Sequence, residues 1–209
     1  MKISVFLGKC FAFLFPYNIN NSFQAIKVRY ELAKNENYFK KKCKGFGCGC
    51  RIYEPARIGG LENVSIGNQF TMGEGGILET IPEYHGVVYS PTIEIKNNVS
   101  IGKRCHIGAI NYIQIGNNVL TGANVLITDH AHGNSIISDI KKSPRDRDLY
   151  SKGKVIIGDN VWIGDKATIL PGVEIGCNVI IGANSVVTHS IPDNAVACGN
   201  PARVLKIIS

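Results

Sequence analysis

A period of six residues runs through most of the chain and restricts the folds that it can adopt. One kind of residue, aliphatic everywhere except for a threonine at 121, recurs at positions 66, 72, 95, 101, 107, 115, 121, 127, 157, 163, 169, 175, 181 and 187. Glycine follows ten of these fourteen positions. An α-helix repeats about every 3.6 residues and a simple strand about every 2, so neither alone produces this spacing. The period is typical of architectures that stack one short unit on the next.

A short strand followed by a corner accounts for the period. The aliphatic residue points inward, and the glycine after it lies at the corner, where a positive φ or the close approach of another backbone excludes a side chain. A second inward position follows four residues later and is small or β-branched in nearly every repeat, as at Val99, Cys105, Ala131 and Ser185. Three repeats form one triangular coil, and successive coils pair as parallel strands. The sequence therefore predicts an all-β chain folded as a parallel β-helix.

The second half of the chain resembles a known family. Residues 153–164, which include the single tryptophan, and the terminal motif Gly-Asn-Pro-Ala-Arg-Val at 199–204 are similar to the hexapeptide-repeat acyltransferases. The likeness is strongest to the maltose, galactoside and xenobiotic acetyltransferases, and it covers about residues 50–209. It implies a left-handed β-helix, a homotrimer with cofactor grooves between its subunits, and acetyl-CoA as the acyl donor.

The predicted catalytic residue is His130, where the repeat gives way to its longest interruption, residues 129–154. Long loops on a rigid repeat scaffold usually carry function. Acyl transfer to a hydroxyl requires a group that accepts the hydroxyl proton, and imidazole titrates in a suitable range. The resemblance implies that His130 is this base. Two alternatives stay open: that His132 is the base, and that His130 caps the strand without a chemical role.

The resemblance also implies a cofactor site built from repeat positions and the chain end. Trp162 would flank the pantetheine arm, although an aromatic trimer contact is an alternative role. Arg203 would bind the 3′-phosphate, because arginine forms charge-assisted hydrogen bonds with phosphate; a cation that caps the last coil is its alternative. The implied cofactor-binding residues are Trp162, Asp165, Ala183, Thr188, Arg203 and Lys206.

On the acceptor side we expect Asp129, His132 and Asn111, and a second, shorter interruption within 73–92 predicts another loop. The resemblance implies O-acetylation of a sugar in surface polysaccharide or lipopolysaccharide assembly. Acetylation of an antibiotic or an amino sugar is the alternative. A γ-type carbonic anhydrase would need three histidines around zinc, and the terminal motif argues against it. A purely structural β-helix is disfavoured by the long loop.

The first 45 residues lack the repeat, so we divide the chain into an N-terminal segment, 1–45, and a β-helix domain, 46–209. Residues 6–15 are largely apolar but too short to span a bilayer, which takes about 20 residues. Asn21-Ser22 then predicts a helix cap, with a helix over 23–42. We expect the segment to cover the open end of the β-helix, or to attach peripherally to a membrane.

Charge and cysteine content restrict the partners and the compartment. The net charge of +7 suits an anionic partner such as coenzyme A. The chain carries no recognised nucleic-acid motif, so a nucleic-acid partner is not expected. The seven cysteines include no Cys-x-x-Cys pair, and Cys48-Gly-Cys50 lacks a nearby histidine, which disfavours a metal site. Free thiols suit a reducing cytosol, so we expect a cytoplasmic protein, at the inner face of the membrane if the N-terminal segment attaches there.

Overall fold

The computed structural model describes residues 25–26, 29–30, 33, 36–54, 56–134 and 136–208. The chain divides into two compact units, residues 1–38 and 39–209; the boundary expected at 45 stays a prediction. Every described residue between 25 and 42 is helical, within the range predicted for a helix. The apolar stretch 6–15 and the cap at 21–22 lie outside the described residues. Within the described ranges, no helix has the length and apolarity to cross a membrane.

Three sheets, here named A, B and C, form the sides of a prism in the second unit. Sheet A contains, in spatial order, β1 (Gly45–Phe46), β4 (Val64–Ile66), β9 (Thr92–Ile95), β12 (Tyr112–Ile115), β17 (Val155–Ile157) and β20 (Glu174–Ile175). Sheet B contains β2 (Arg51–Ile52), β5 (Thr71–Met72), β10 (Ser100–Ile101), β13 (Leu120–Thr121), β18 (Trp162–Ile163), β21 (Ile180–Ile181), β23 (Ala195–Gly199) and β24 (Ala202–Ile207). Sheet C contains β3 (Arg57–Gly59), β6 (Ile77–Thr80), β11 (His106–Ala109), β14 (Leu126–Thr128), β19 (Thr168–Ile169) and β22 (Val186–Val187). The strands of the three sheets are parallel except for β24, which pairs antiparallel with β23 in sheet B.

The predicted fold class, a left-handed parallel β-helix, is confirmed. The chain passes from sheet A to B to C and then begins the next coil, so that each inward residue stacks on its counterpart one coil away. Ile113, for example, pairs in register with Ile93 on one side and Val155 on the other. All fourteen repeat positions are at most 4 % exposed. The core is therefore a set of stacked aliphatic columns along the prism axis.

At the corners between sheets A and B, asparagine residues have the positive φ, whereas glycine residues lie where the backbones of neighbouring coils approach each other closely. Five asparagines there have φ of 56° or 57°, and their side-chain amides form a ladder with N···O distances of 2.9–3.1 Å: Asn98, Asn118, Asn160, Asn178 and Asn194. A Cβ at Gly116 would lie 2.5 Å from the carbonyl oxygen of Gly158 in the next coil. The repeat glycine is thus required because the coils approach each other too closely for a side chain.

Two excursions leave the prism. The first is narrower than the predicted interruption, because Ile77–Thr80 still belongs to sheet C; it contains the hairpin β7 (Glu83–Tyr84) and β8 (Val87–Val88). The second contains the antiparallel pair β15 (Ala131–His132) and β16 (Leu149–Tyr150), a short α-helix (Ile137–Ile140) and a 3-10 turn (Pro144–Asp146). Outside the excursions, a 3-10 turn (Leu61–Asn63) precedes β4.

The prediction that Ala131 points inward is wrong. Its side chain is exposed, whereas that of Asp129, two residues earlier, is completely buried. The chain leaves the coil after Thr128, so the period no longer determines which side chains face the interior. The two excursions contact each other beyond this point, because Tyr89 Oη donates a hydrogen bond to the carbonyl oxygen of Leu149 at 2.9 Å.

Candidate active site

His130 lies where the second excursion begins, and the Nδ1 side of its imidazole contacts a carboxylate. Its Nδ1 is 3.0 Å from Asp129 Oδ1, and its side chain is 15 % exposed. The Thr128 hydroxyl fixes the local backbone, since it accepts the His130 N–H at 3.3 Å and donates to the His130 carbonyl at 3.1 Å. A proton on Nδ1 that is donated to a carboxylate leaves Nε2 with a lone pair. The ring is therefore oriented to accept a proton through Nε2.

Asp129 is the group that orients this ring. Its carboxylate is fully buried, and it accepts backbone N–H groups from Ile110 at 2.9 Å and from Asn111 at 2.8 Å. A buried carboxylate needs such partners. The expectation that Asp129 contacts the acceptor does not fit this burial, so its position is behind His130. Asn111 is exposed, and its side-chain amide donates to Ser151 Oγ at 3.3 Å.

A row of polar and charged side chains on the outer face of sheet C, which the sequence did not predict, lies next to His130. His106 Nε2 is 2.9 Å from Glu79 Oε1, and Arg57 donates to both Glu79 oxygens at 3.0 and 3.1 Å. Gly108 lies between the two imidazoles, because a Cβ there would be 3.1 Å from His106 Nε2 and 3.5 Å from His130 Cε1. The glycine keeps an open polar surface beside the predicted base.

His132 lies on β15, and its described ring contact is with the first excursion. It packs edge-on against Tyr84 with ring centroids 5.6 Å apart, while Tyr84 stacks on His85 at 4.0 Å. Tyr84 Oη also donates to the carbonyl oxygen of Arg145 at 3.3 Å. These contacts join the two excursions into one wall above the outer face of sheet C.

The predicted cofactor residues Trp162, Asp165 and Ala183 line one groove of about 300 Å³. Trp162, beside this groove, is 52 % exposed. Lys206 belongs to the same outward row as Trp162, since both are linked through successive strand partners on β21 and β23. Arg203 is exposed on β24 of the same sheet. A narrow groove beside an exposed indole, with cations on the same sheet, fits a ligand that has a long arm and an anionic end, such as coenzyme A.

Thr188 does not share this groove. It lies at the opposite edge of sheet C, in a cleft of about 500 Å³ that also contains Ala131, Gly133 and Tyr150. Its hydroxyl is 2.8 Å from His189 Nδ1. The residues expected to hold one cofactor are therefore divided between two edges of the protomer, with sheet C between them.

Of the three cysteines near the first coil, Cys50 is buried, Cys43 is partly buried and Cys48 is exposed. The Cys50 thiol donates to the carbonyl oxygen of Gly67 at 3.2 Å. Burial, with a smaller contribution from Cys50, raises the pKa of the Cys43 thiol to about 11, so it stays protonated and is a poor metal ligand near neutral pH. In the part of the chain that the structure describes, no three His, Cys, Asp or Glu side chains are grouped to hold a metal.

Comparison with known proteins agrees with these observations. The family models for the bacterial transferase hexapeptide (six repeats) and for the hexapeptide repeat of succinyl-transferase match residues 154–189 and 98–129. The chain is 38 % identical over 161 residues to WbbJ of Escherichia coli, provisionally named a lipopolysaccharide biosynthesis O-acetyl transferase, covering 75 % of this chain and 79 % of that protein.

Two solved structures extend the similarity. A maltose O-acetyltransferase from Clostridium difficile has a TM-score of 0.59 and 31 % identity, covering 86 % of this chain and 77 % of its own. A galactoside acetyltransferase in complex with coenzyme A has a TM-score of 0.57 and 28 % identity, covering 90 % of this chain and 80 % of its own.

Proposed function

We propose a function from one premise: the chain belongs to the hexapeptide-repeat acyltransferase family, and it is an acetyltransferase that takes its acyl group from acetyl-CoA. The acceptor is a hydroxyl group of a saccharide, in the assembly of surface polysaccharide or lipopolysaccharide. The name of WbbJ supports this acceptor class, and so do the sugar enzymes with a similar structure.

The observation that carries the proposal is the Asp129–His130 pair, at 3.0 Å. His130 Nε2 accepts the proton of the acceptor hydroxyl as the hydroxyl oxygen bonds to the acetyl carbonyl carbon. The carbon–sulfur bond then breaks, and His130 returns the proton to the departing thiolate. The products are the acetyl ester and the free thiol of coenzyme A, so the acetyl group passes directly from donor to acceptor. The buried Asp129 carboxylate stabilises the imidazolium that forms between the two proton transfers.

The surface next to His130 supports a polyhydroxyl acceptor. Glu79 and His106 are part-exposed there, with side chains that are 23 % and 36 % exposed. Carboxylates accept hydrogen bonds from hydroxyl groups, and imidazoles donate or accept them. Arg57, on the strand next to β6 opposite β11, also binds the Glu79 carboxylate. A saccharide ring bound over Gly108 would meet these groups with one hydroxyl near His130.

The complete site requires two subunits of a homotrimer. Ala123, whose N–H donates to Asp165, lies before strand β14 (Leu126–Thr128), and His130 lies after it. The three residues of β14, at about 3.3 Å each, place roughly 10 Å or more between the cofactor groove of one protomer and its own His130. In a closed ring, the groove edge of one subunit meets the His130 edge of the next. The same arrangement brings Thr188 to the cofactor held by a neighbouring Trp162.

An acceptor panel tests the chemistry. Thiol release from acetyl-CoA is measured with neutral saccharides, amino sugars and aminoglycoside-type antibiotics, and the products are identified by mass spectrometry. We expect hydroxyl acetylation of saccharides by the wild type and loss of turnover in His130→Ala. Acetylation of amines alone would replace the proposed acceptor class, and full turnover in His130→Ala would remove the proposed base.

A subunit-mixing experiment tests the composite site. Two variants, His130→Ala and Trp162→Ala, are co-expressed with different affinity tags, and the mixed oligomers are purified and assayed at an acetyl-CoA concentration too low to saturate Trp162→Ala. A site built from neighbouring subunits regains about one third of wild-type activity, since each mixed trimer has one site in three that combines an intact His130 with an intact Trp162. A site within one chain regains none. Each variant assembled with itself is the control.

A further inference from the structure

The second excursion carries an exposed apolar tip with no packing role in the protomer. Ile136, Ile137 and Ile140 are 50 %, 73 % and 60 % exposed. None of the residues of the short helix Ile137–Ile140 is buried. Large apolar side chains exposed together at one place are typical of surfaces that bind a partner or a membrane.

The tip is held in a defined conformation by its own polar contacts. Asp139 accepts the N–H of Asn134 at 2.7 Å. The Arg147 guanidinium donates to the carbonyl oxygens of Ile140 and Lys142 at 3.3 and 3.2 Å, at the end of the short helix. At the base of the excursion, the Gly133 N–H donates to the carbonyl oxygen of Asp148 at 2.8 Å. The exposure of the three isoleucines is therefore built into the fold of the excursion.

Basic side chains follow the isoleucines directly. Lys141, Lys142 and Arg145 are exposed, and none of them forms an ion pair with another described residue. Asp139, the acid of the short helix, accepts the Asn134 N–H, and Asp146 shares the 3-10 turn Pro144–Asp146 with Arg145. The tip therefore combines a small apolar surface with unpaired positive charge.

We propose that this tip binds the surface of an anionic lipid membrane, with the isoleucines among the upper acyl chains and the cations at the headgroups. This loop tip consists of Ile136, Ile137, Ile140, Lys141, Lys142 and Arg145. Apolar side chains flanked by lysine and arginine are the composition that binds anionic interfaces. The exposed cations beside the isoleucines match the charge of an anionic lipid surface.

Membrane binding at the tip would bring the active site close to the lipid surface. His130 lies at the base of the same excursion, ten residues before Ile140. This consequence rests on the proposed function, because an acceptor carried on a lipid would then reach the base without leaving the membrane. The binding itself is independent of the acetyl transfer and is measured without any substrate.

Vesicle co-sedimentation of the full chain tests the proposal. Vesicles of phosphatidylcholine alone are compared with mixed phosphatidylcholine–phosphatidylglycerol vesicles. We expect Ile137→Ser/Ile140→Ser to lower the partition coefficient on mixed vesicles at least about tenfold, since each side chain loses its apolar transfer. Lys141→Gln, Lys142→Gln and Arg145→Gln should each lower it about fivefold on mixed vesicles only, from about 1 kcal/mol per cation.

The matched control is Val204→Ser/Leu205→Ser, which removes two apolar side chains that are 40 % and 64 % exposed on β24. This control should bind mixed vesicles like the wild type. Residues 6–15 are identical in all variants, so unchanged binding of Ile137→Ser/Ile140→Ser would overturn the loop tip as the contact. A change in the oligomeric state of Ile137→Ser/Ile140→Ser, measured by light scattering, would also overturn the proposal, because the tip would then be a subunit interface.

Discussion

The two sides of the site are built by different means. The cofactor groove uses Trp162, Asp165 and Ala183, which occupy repeat positions in two successive coils held by backbone pairing. The acceptor side uses His130 and the two excursions, where the chain has left the repeat and side chains make the contacts. The donor geometry therefore follows from the stacking of the coils, whereas the acceptor geometry can change without any change of the fold.

This difference has a physical origin. A groove between stacked coils inherits its spacing from parallel strands about 4.8 Å apart, and any side chain at that repeat position meets the same neighbours. The acceptor wall depends on particular pairs, such as Tyr84 with His132 and Tyr89 with the Leu149 carbonyl. Substitutions on the acceptor side should therefore alter turnover or acceptor KM, and substitutions on the donor side should alter coenzyme affinity.

The largest expected effect is that of His130→Ala. The kcat should fall by roughly 10²–10⁴, which is the usual contribution of a positioned general base. The affinity for acetyl-CoA, measured by calorimetry, should change little because the imidazole faces the acceptor. A larger loss of kcat in His132→Ala than in His130→Ala would reverse the assignment of the base.

Asp129→Asn should lower kcat by roughly 10–10³ while leaving coenzyme affinity unchanged, because an amide cannot both accept the two backbone N–H groups and stabilise the imidazolium. It should also destabilise the fold by about 1–3 kcal/mol, through a mismatched buried hydrogen bond. Thermal unfolding and steady-state kinetics measure the two effects.

Asp159→Asn is the matched control for that loss, since Asp159 also accepts a backbone N–H, from Asn117 at 2.6 Å, in a corner remote from His130. It should lose stability but keep its kcat. An equal loss of kcat in both variants would indicate that Asp129 acts only through stability.

On the donor side, Arg203→Ala and Lys206→Ala should each weaken acetyl-CoA binding by about tenfold, the lower end of the range for a charge-assisted contact, because both residues are exposed. Binding of dephospho-CoA should change less, since it lacks the 3′-phosphate. Calorimetry with both coenzymes measures the difference, and equal losses would show that neither residue meets that phosphate.

A smaller effect is expected for Gly108→Ala, which should raise the acceptor KM by about three- to tenfold. The new methyl group would lie 3.1 Å from His106 Nε2 and narrow the surface beside His130. Gly59→Ala provides the control, because a Cβ there meets only Glu79 Cβ at 4.0 Å in the same outward row. Similar kinetics for the two variants would place the acceptor elsewhere.

The smallest effect is expected for His132→Ala. Loss of its edge contact with Tyr84, worth about 0.5–1.5 kcal/mol, should raise the acceptor KM by about two- to tenfold with kcat nearly unchanged. Initial rates at saturating acetyl-CoA measure it. A fall in kcat with an unchanged KM would mean that His132 takes part in the chemistry.

The period of six determined the coil and the inward columns, because each repeat contacts its counterpart in the next coil through a local and identical geometry. The resemblance to the acyltransferases implied that Trp162, Asp165 and Ala183 share one site, and the stacking of two successive coils brings them into one groove. The prediction failed at Ala131, the first inward position after the chain leaves the coil.

Only the tertiary structure decided the acceptor side. Glu79 and His106 are 27 residues apart because the first excursion lies between them, whereas coils without an excursion are offset by 16, 18 or 20 residues. The six-residue spacing of the sequence therefore does not reveal that these two residues pair. The burial of Asp129 depends on the backbone of Ile110 and Asn111 in the coil below. The sequence determines which residues stack wherever the coils are uninterrupted, and an inserted excursion replaces that rule with contacts between side chains that only the folded chain brings together.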